Sequence, residues 1–224
     1  MKISRLIPLM FVFIAAVMLA GCKKKAPAGP TPSPKIVEQV NTIPVDQRPY
    51  ARIAPDPTKQ GRGIVLYLSE LKKPAAKGEY EIEYQTNGLL QGAFGRFKLD
   101  SFPEKHDILL GSCSAGGKCT YHENVTGGSL LLRFDQPEKF VFKNDWSFIE
   151  NKAKSTVIGS RDGKFSLDGA GLARVSHFAI LQTPGLPKNP ETKILSNGYA
   201  VGSIAPVSGK LTVSIRLSEE SAAA

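Results

Sequence analysis

EYEIEYQTNGLLQGAFGRFKL, residues 79–99, carries the clearest structural signal in the 224-residue chain. From Glu79 to Gln85 the side chains alternate strictly. Tyr80, Ile82 and Tyr84 fall on one face, and Glu79, Glu81, Glu83 and Gln85 on the other. A period of two is that of a half-buried strand. Asn87-Gly88 then supplies a tight-turn dipeptide, and Ala93 to Leu99 returns as the partner strand. Phe97 and Leu99 are expected inward there, with Arg96 and Lys98 outward. The acidic face of one strand thus meets the basic face of the next, which helps to set register.

Outward from this hairpin the β signal continues. Residues 64–68, IVLYL, form an apolar run of strand length. Further strands are expected at residues 107–110, 129–134, 139–142, 147–150 and 156–160. Arg161-Asp162-Gly163 turns into a strand at 164–167, and Asn197-Gly198 into one at 199–202. Residues 172–181 are long and lack clean alternation, which suits a strand buried on both faces or bulged. The last strand is strict again, with Leu211, Val213, Ile215 and Leu217 expected inward and Lys210, Thr212, Ser214 and Arg216 outward. Residues 51–63, rich in Pro, Gly and charge, read as loop.

Many short strands with regular turn signals predict an all-β fold: a single antiparallel β-sandwich, with a closed lipocalin-like β-barrel as the alternative. The expected division is a leader at 1–21, a linker at 22–50, the sandwich at 51–219 and a frayed tail at 220–224. No internal repeat supports two tandem domains.

The chain begins with a short cationic start, Lys2 and Arg5, and an apolar run from Leu6 to Leu19 broken only by Pro8. That run is short for a helix that must cross about 30 Å of hydrocarbon, and it suits a cleaved secretory signal. Leu19-Ala20-Gly21-Cys22 closes it. The four residues resemble the lipobox of bacterial lipoproteins: an aliphatic residue, a small residue, Gly or Ala, then Cys. The resemblance implies that Cys22 carries a diacylglyceryl group on sulfur and becomes the first residue of the mature chain, commonly N-acylated as well. Two or more acyl chains hold a protein stably to a bilayer. The resemblance further implies a cell-envelope location. Lys23 after the cysteine, rather than Asp, implies the periplasmic face of the outer membrane where the source has two membranes.

Residues 23–35, KKKAPAGPTPSPK, open with three lysines, Lys23 to Lys25, and hold four prolines. The prolines favour extended polyproline II, a semi-rigid spacer. The lysines sit beside the lipid and suit an anionic surface. The whole chain holds 29 basic and 20 acidic residues, a formal +9. Removing the leader takes away Lys2 and Arg5 and no acid, leaving +7. An exported chain with this modest excess and no basic-aromatic motif is not expected to bind nucleic acid.

Three cysteines are present. With Cys22 lipidated, Cys113 and Cys119 remain, and an oxidising compartment favours a disulfide between them. The competing reading is a metal site or enzyme built on His106, Cys113, Cys119 and His122, but C-x5-C-x2-H is no zinc-ribbon spacing. Other chemistry fails on inspection. Residues 111–120 break the phosphate-loop pattern, because Gly117 intervenes before Lys118. His122-Glu123 has Thr126 where a zinc protease needs its second histidine. Ser69-Glu70-Leu71-Lys72 stands without the companion elements of the penicillin-recognising enzymes. His177, in an apolar run, reads as a hydrogen-bonded core residue.

For contact with a partner the sequence offers the single tryptophan, Trp146, a ring that in a sandwich more often fills the core, and the proline-rich loop 182–192 with Leu186 and Lys188. The expectation is therefore a lipid-anchored, non-enzymatic binding or structural module without metal or cofactor. Its partner would be an envelope protein, a glycan or the cell wall. A lipocalin-like carrier of a small apolar ligand is the reading that goes with a barrel.

Overall fold

The computed structural model describes residues 38–188 and 190–217. The leader, Cys22, the proline-rich spacer and the tail from 218 lie outside the described residues. Among the described residues fourteen strands follow one another. They are β1 (Tyr50–Pro55), β2 (Gly63–Glu70), β3 (Lys77–Thr86), β4 (Leu89–Phe97), β5 (Glu104–Leu109), β6 (Gly111–Cys113) and β7 (Cys119–Tyr121). Then come β8 (Gly127–Asp135), β9 (Phe140–Glu150), β10 (Val157–Gly159), β11 (Phe165–Asp168), β12 (His177–Thr183), β13 (Gly198–Ser203) and β14 (Thr212–Ile215). The described helices are three short 3-10 turns. Pairing is antiparallel throughout.

The central layer is a six-stranded sheet in the order β13-β12-β9-β8-β3-β4. The hairpin read from residues 79–99 is its β3–β4 edge. Asn87 and Gly88 both have positive φ, 47° and 78°, the conformation a two-residue hairpin turn requires. Glu79 pairs with Arg96, and their side chains form an ion pair at 3.1 Å. Tyr80, Ile82 and Tyr84 are buried as the alternation requires.

One face of this sheet packs on a three-stranded sheet, β1-β2-β5. Ile53, Ile64, Leu66, Leu68 and Ile108 meet Ile82, Leu130, Leu132, Phe134 and Phe142 in the main core. Two facing sheets with no closure among the described residues make a sandwich and not a barrel. The opposite face is covered at its β12 end by a second small sheet, β10-β11-β14. Phe178 and Ile180 of β12 point into this second core with Ile158, Phe165 and Leu167, while Ala179 and Leu181 point into the first. The strand is apolar on both faces because both are covered, which erases the alternation.

Several expectations change. β1 occupies a stretch read as loop. Only Ala51 and Ile53 carry its inward signal, and Pro55 closes it. Residues 172–181 are a 3-10 turn, Ala170–Arg174, followed by β12. The strands expected at 139–142 and 147–150 are one, β9, since Asn144 stays in register opposite Leu130. The end of the expected linker belongs to the folded unit. Asn41 donates its amide to the Val141 carbonyl at 2.8 Å, and its side chain bonds both Lys143 N (3.2 Å) and Lys143 O (2.8 Å). β12 pairs with β9 only over Trp146–Glu150, so Asn41 satisfies the backbone that β12 leaves uncovered. Glu38 adds ion pairs to Arg133 (2.9 Å) and Lys139 (3.0 Å).

The last strand departs most. Leu211, Val213, Ile215 and Leu217 were expected inward, but they are 37%, 58%, 43% and 42% exposed. Val213 and Ile215 do share a face with the buried Leu167 and Phe165, their partners on β11. β14, however, is the edge of its sheet, and its apolar side extends past the core that the strand alternation anticipated.

Candidate functional site

The short hairpin β6–β7 pairs Gly111 with Tyr121 and Cys113 with Cys119. Cys113 and Cys119 are joined by a disulfide. The hairpin leads straight into a loop, residues 122–126, that is tied down on several sides. The His122 amide donates to the Leu110 carbonyl at 2.9 Å. The Thr86 hydroxyl donates to the Glu123 carbonyl at 2.6 Å, and the Asn124 amide to Asn87 Oδ1 at 2.8 Å. His122 Nδ1 is hydrogen-bonded to the Tyr84 hydroxyl at 3.0 Å. The loop is therefore held by the hairpin turn of β3–β4 and by the core face of β3.

This loop forms one wall of a cleft of about 580 Å³. The opposite wall comes from the Gln60–Arg62 turn, from Phe148, Glu150 and Lys152 at the end of β9, and from His177 at the start of β12. Arg62 lies over the Tyr121 ring, 4.9 Å from its centroid. Glu150 and Lys152 are ion-paired at 2.9 Å. The His177 ring lies against Gly61 and 5.8 Å from the Phe148 ring, and its Nδ1 is 3.0 Å from the Ser176 hydroxyl. Burial holds the His177 imidazole below its ordinary value; Glu150 pulls it up and Lys152 pushes it down. The cleft thus combines an exposed aromatic ring, both signs of charge and two histidines, each with Nδ1 already engaged. Such a wall suits hydrogen bonding to a polar ligand more than burial of an apolar one.

The residues singled out from sequence are scattered. Cys22 lies outside the described residues. The Cys113 and Cys119 sulfurs are bonded to each other, so the proposed thiolate ligand pair is not offered to a metal. His106 donates from Nε2 to Glu104 at 2.9 Å and packs on Tyr80 and Phe97, away from the cleft wall. Among the described residues no group of three or more His, Cys, Asp and Glu is placed to hold a metal ion. Trp146, a candidate for contact or for the core, is wholly buried; a large ring on the inward face of a central strand is claimed by the core. Leu186 is half-buried with its carbonyl accepting from Lys72 at 2.9 Å, and only Lys188 of that pair is exposed. None of the three lines the cleft.

His177, Arg62 and Tyr121 escaped the sequence reading as site residues. Their convergence joins the turn before β2, β7 and β12, which are far apart in the chain, and no local pattern announces it. Among the described residues no helix is long and apolar enough to cross a membrane. No protein-family model, curated protein or solved structure matches the chain.

Proposed function

We propose that the chain is a lipid-anchored lipoprotein of the cell envelope, on the periplasmic face of the outer membrane where two membranes exist. It presents a non-enzymatic β-sandwich that binds a polar envelope partner in the cleft beside the disulfide hairpin. The observation that carries the binding part is the preorganised wall. His122, Glu123 and Asn124 are each fixed by a hydrogen bond to the β3–β4 hairpin. Ordering these groups beforehand lowers the entropy lost on binding. An exposed tyrosine carrying an arginine, with carboxylates, an amide and a lysine around it, favours a glycan: the ring stacks on a sugar face and the polar groups meet hydroxyls. The anchor part rests on the resemblance of Leu19-Ala20-Gly21-Cys22 to a lipobox.

Two measurements test this. In cell fractionation, the native chain should pellet with membranes and carry an added acyl mass, while Cys22→Ala should leave the membrane fraction. Membrane recovery of unmodified Cys22→Ala would defeat the anchor reading. Co-sedimentation with purified cell-wall glycan should be lost in Tyr121→Ala, since Tyr121 is 38% exposed and not part of the core. Equal pelleting by both chains, or by neither, would defeat the glycan reading.

A further inference from the structure

We propose that the chain forms a two-fold dimer by antiparallel pairing of β14 with β14 of a second copy. β14 ends its sheet, and among the described residues no strand lies on its far side. Arg216 donates its amide to the Lys164 carbonyl of the inner neighbour at 2.7 Å. By strand alternation Thr212, Ser214 and Arg216 direct their backbone groups to β11, and Leu211, Val213, Ile215 and Leu217 direct theirs to the free edge. The residues with unpaired edge backbone are therefore also the ones with exposed apolar side chains.

The occupant follows from the pattern of the strand. LTVSIRL, residues 211–217, reads apolar-polar-apolar-polar-apolar-polar-apolar, symmetric about Ser214. Antiparallel pairing about a two-fold axis at Ser214 sets Val213 opposite Ile215 of the other copy, and Leu211 opposite Leu217. Those are the residues whose edge N–H and C=O groups must pair, so side-chain matching and hydrogen-bond register agree. A two-fold interface needs this self-complementarity. The charges agree as well. Thr212 pairs with Asp168 within the chain. In the dimer Thr212 also faces Arg216 of the second copy, so Asp168 and that Arg216 share one lane and one face with only a small side chain between them. No like charges oppose each other along the edge. The β4 edge also exposes Leu89, Leu90 and Phe94, but its sequence, LLQGAFGRF, lacks the strict apolar-polar alternation of residues 211–217.

Cysteine cross-linking in the full chain tests the register. The two Ser214 residues would form a non-hydrogen-bonded pair with Cα atoms about 4.5 Å apart. Under oxidation Ser214→Cys should give roughly tenfold more disulfide-linked dimer than Val157→Cys, another exposed position, on β10 at the opposite edge of the same sheet. The parent chain sets the background. Equal yields from the two variants, or none from Ser214→Cys, would overturn the proposal. Sedimentation of the full chain in detergent gives a second measurement. The unmodified protein should have twice the monomer mass, and Val213→Glu, at a side chain 58% exposed in the monomer, should return it to one. A monomeric parent chain, or a dimer that survives Val213→Glu, would equally overturn it.

Discussion

The indole Nε1 of Trp146 donates to the backbone carbonyl of Glu83 at 2.9 Å, although a whole strand runs between them. Trp146 is on β9 and Glu83 on β3, with β8 in the middle of the sheet. Gly128 of β8 pairs with Trp146, and a Cβ there would lie 2.3 Å from the Glu83 oxygen. The missing side chain is what lets carbonyl and indole meet. Gly128→Ala should therefore destabilise the domain by about 3 kcal/mol, as backbone must shift to admit the methyl. Trp146→Phe should cost about 2 kcal/mol through the orphaned carbonyl. Urea titration followed by circular dichroism measures both.

The Cys113–Cys119 disulfide closes a small ring, so its effect on the unfolded chain is bounded. Chain-entropy reasoning gives about 2 kcal/mol for such a loop. Cys113→Ser with Cys119→Ser should lower global stability by no more than that. Hydrogen exchange should rise first in residues 111–122, and glycan co-sedimentation should weaken because Tyr121 loses its rigid support.

Acidification should act through His177. Its folded value is depressed by burial, so the unfolded chain takes up that proton more readily. The sign is then fixed: this contribution is complete above the ordinary value near 6.5 and is lost as pH falls from there toward the lower folded value. His177→Gln should show a smaller loss of urea midpoint than the native chain between about pH 7.5 and about pH 5.5. An identical loss in both chains would remove His177 as the cause.

Arg48 holds the entering segment. Its Nε donates to the Ile43 carbonyl at 2.6 Å and its terminal nitrogen to the Asn41 carbonyl at 2.7 Å. Arg48→Ala should cost about 2 kcal/mol and free residues 41–49 from the edge of β9. Limited proteolysis should then cut within that segment while the core strands stay protected.

Some of this architecture was legible in the chain and some was hidden, for identifiable reasons. The β3–β4 hairpin could be read because one of its faces is wet: strict alternation survives only where one side is solvated. The disulfide could be read because the two cysteines are near in sequence. β12 was legible as a strand buried on both faces but not in its bounds, since covering both faces removes the polar half of the pattern that would mark where it starts. β14 misled in the opposite way. Its alternation was real and its face correct, yet nothing local says whether a second layer reaches far enough to cover that face. Trp146 went to the core and not to a partner because Gly128, on a different strand, opened the space for it.

Side-chain period and turn chemistry, both properties of a few consecutive residues, were enough to settle that the folded part is antiparallel β and which way most strands face. Which strands become neighbours depends on pairings between segments well separated in the chain, such as β3 with β8 and β11 with β14, and on loop contacts such as Asn41 with Lys143. Those contacts alone decided the third layer, the exposed edge of β14 and the cleft in which Arg62, Tyr121 and His177 meet.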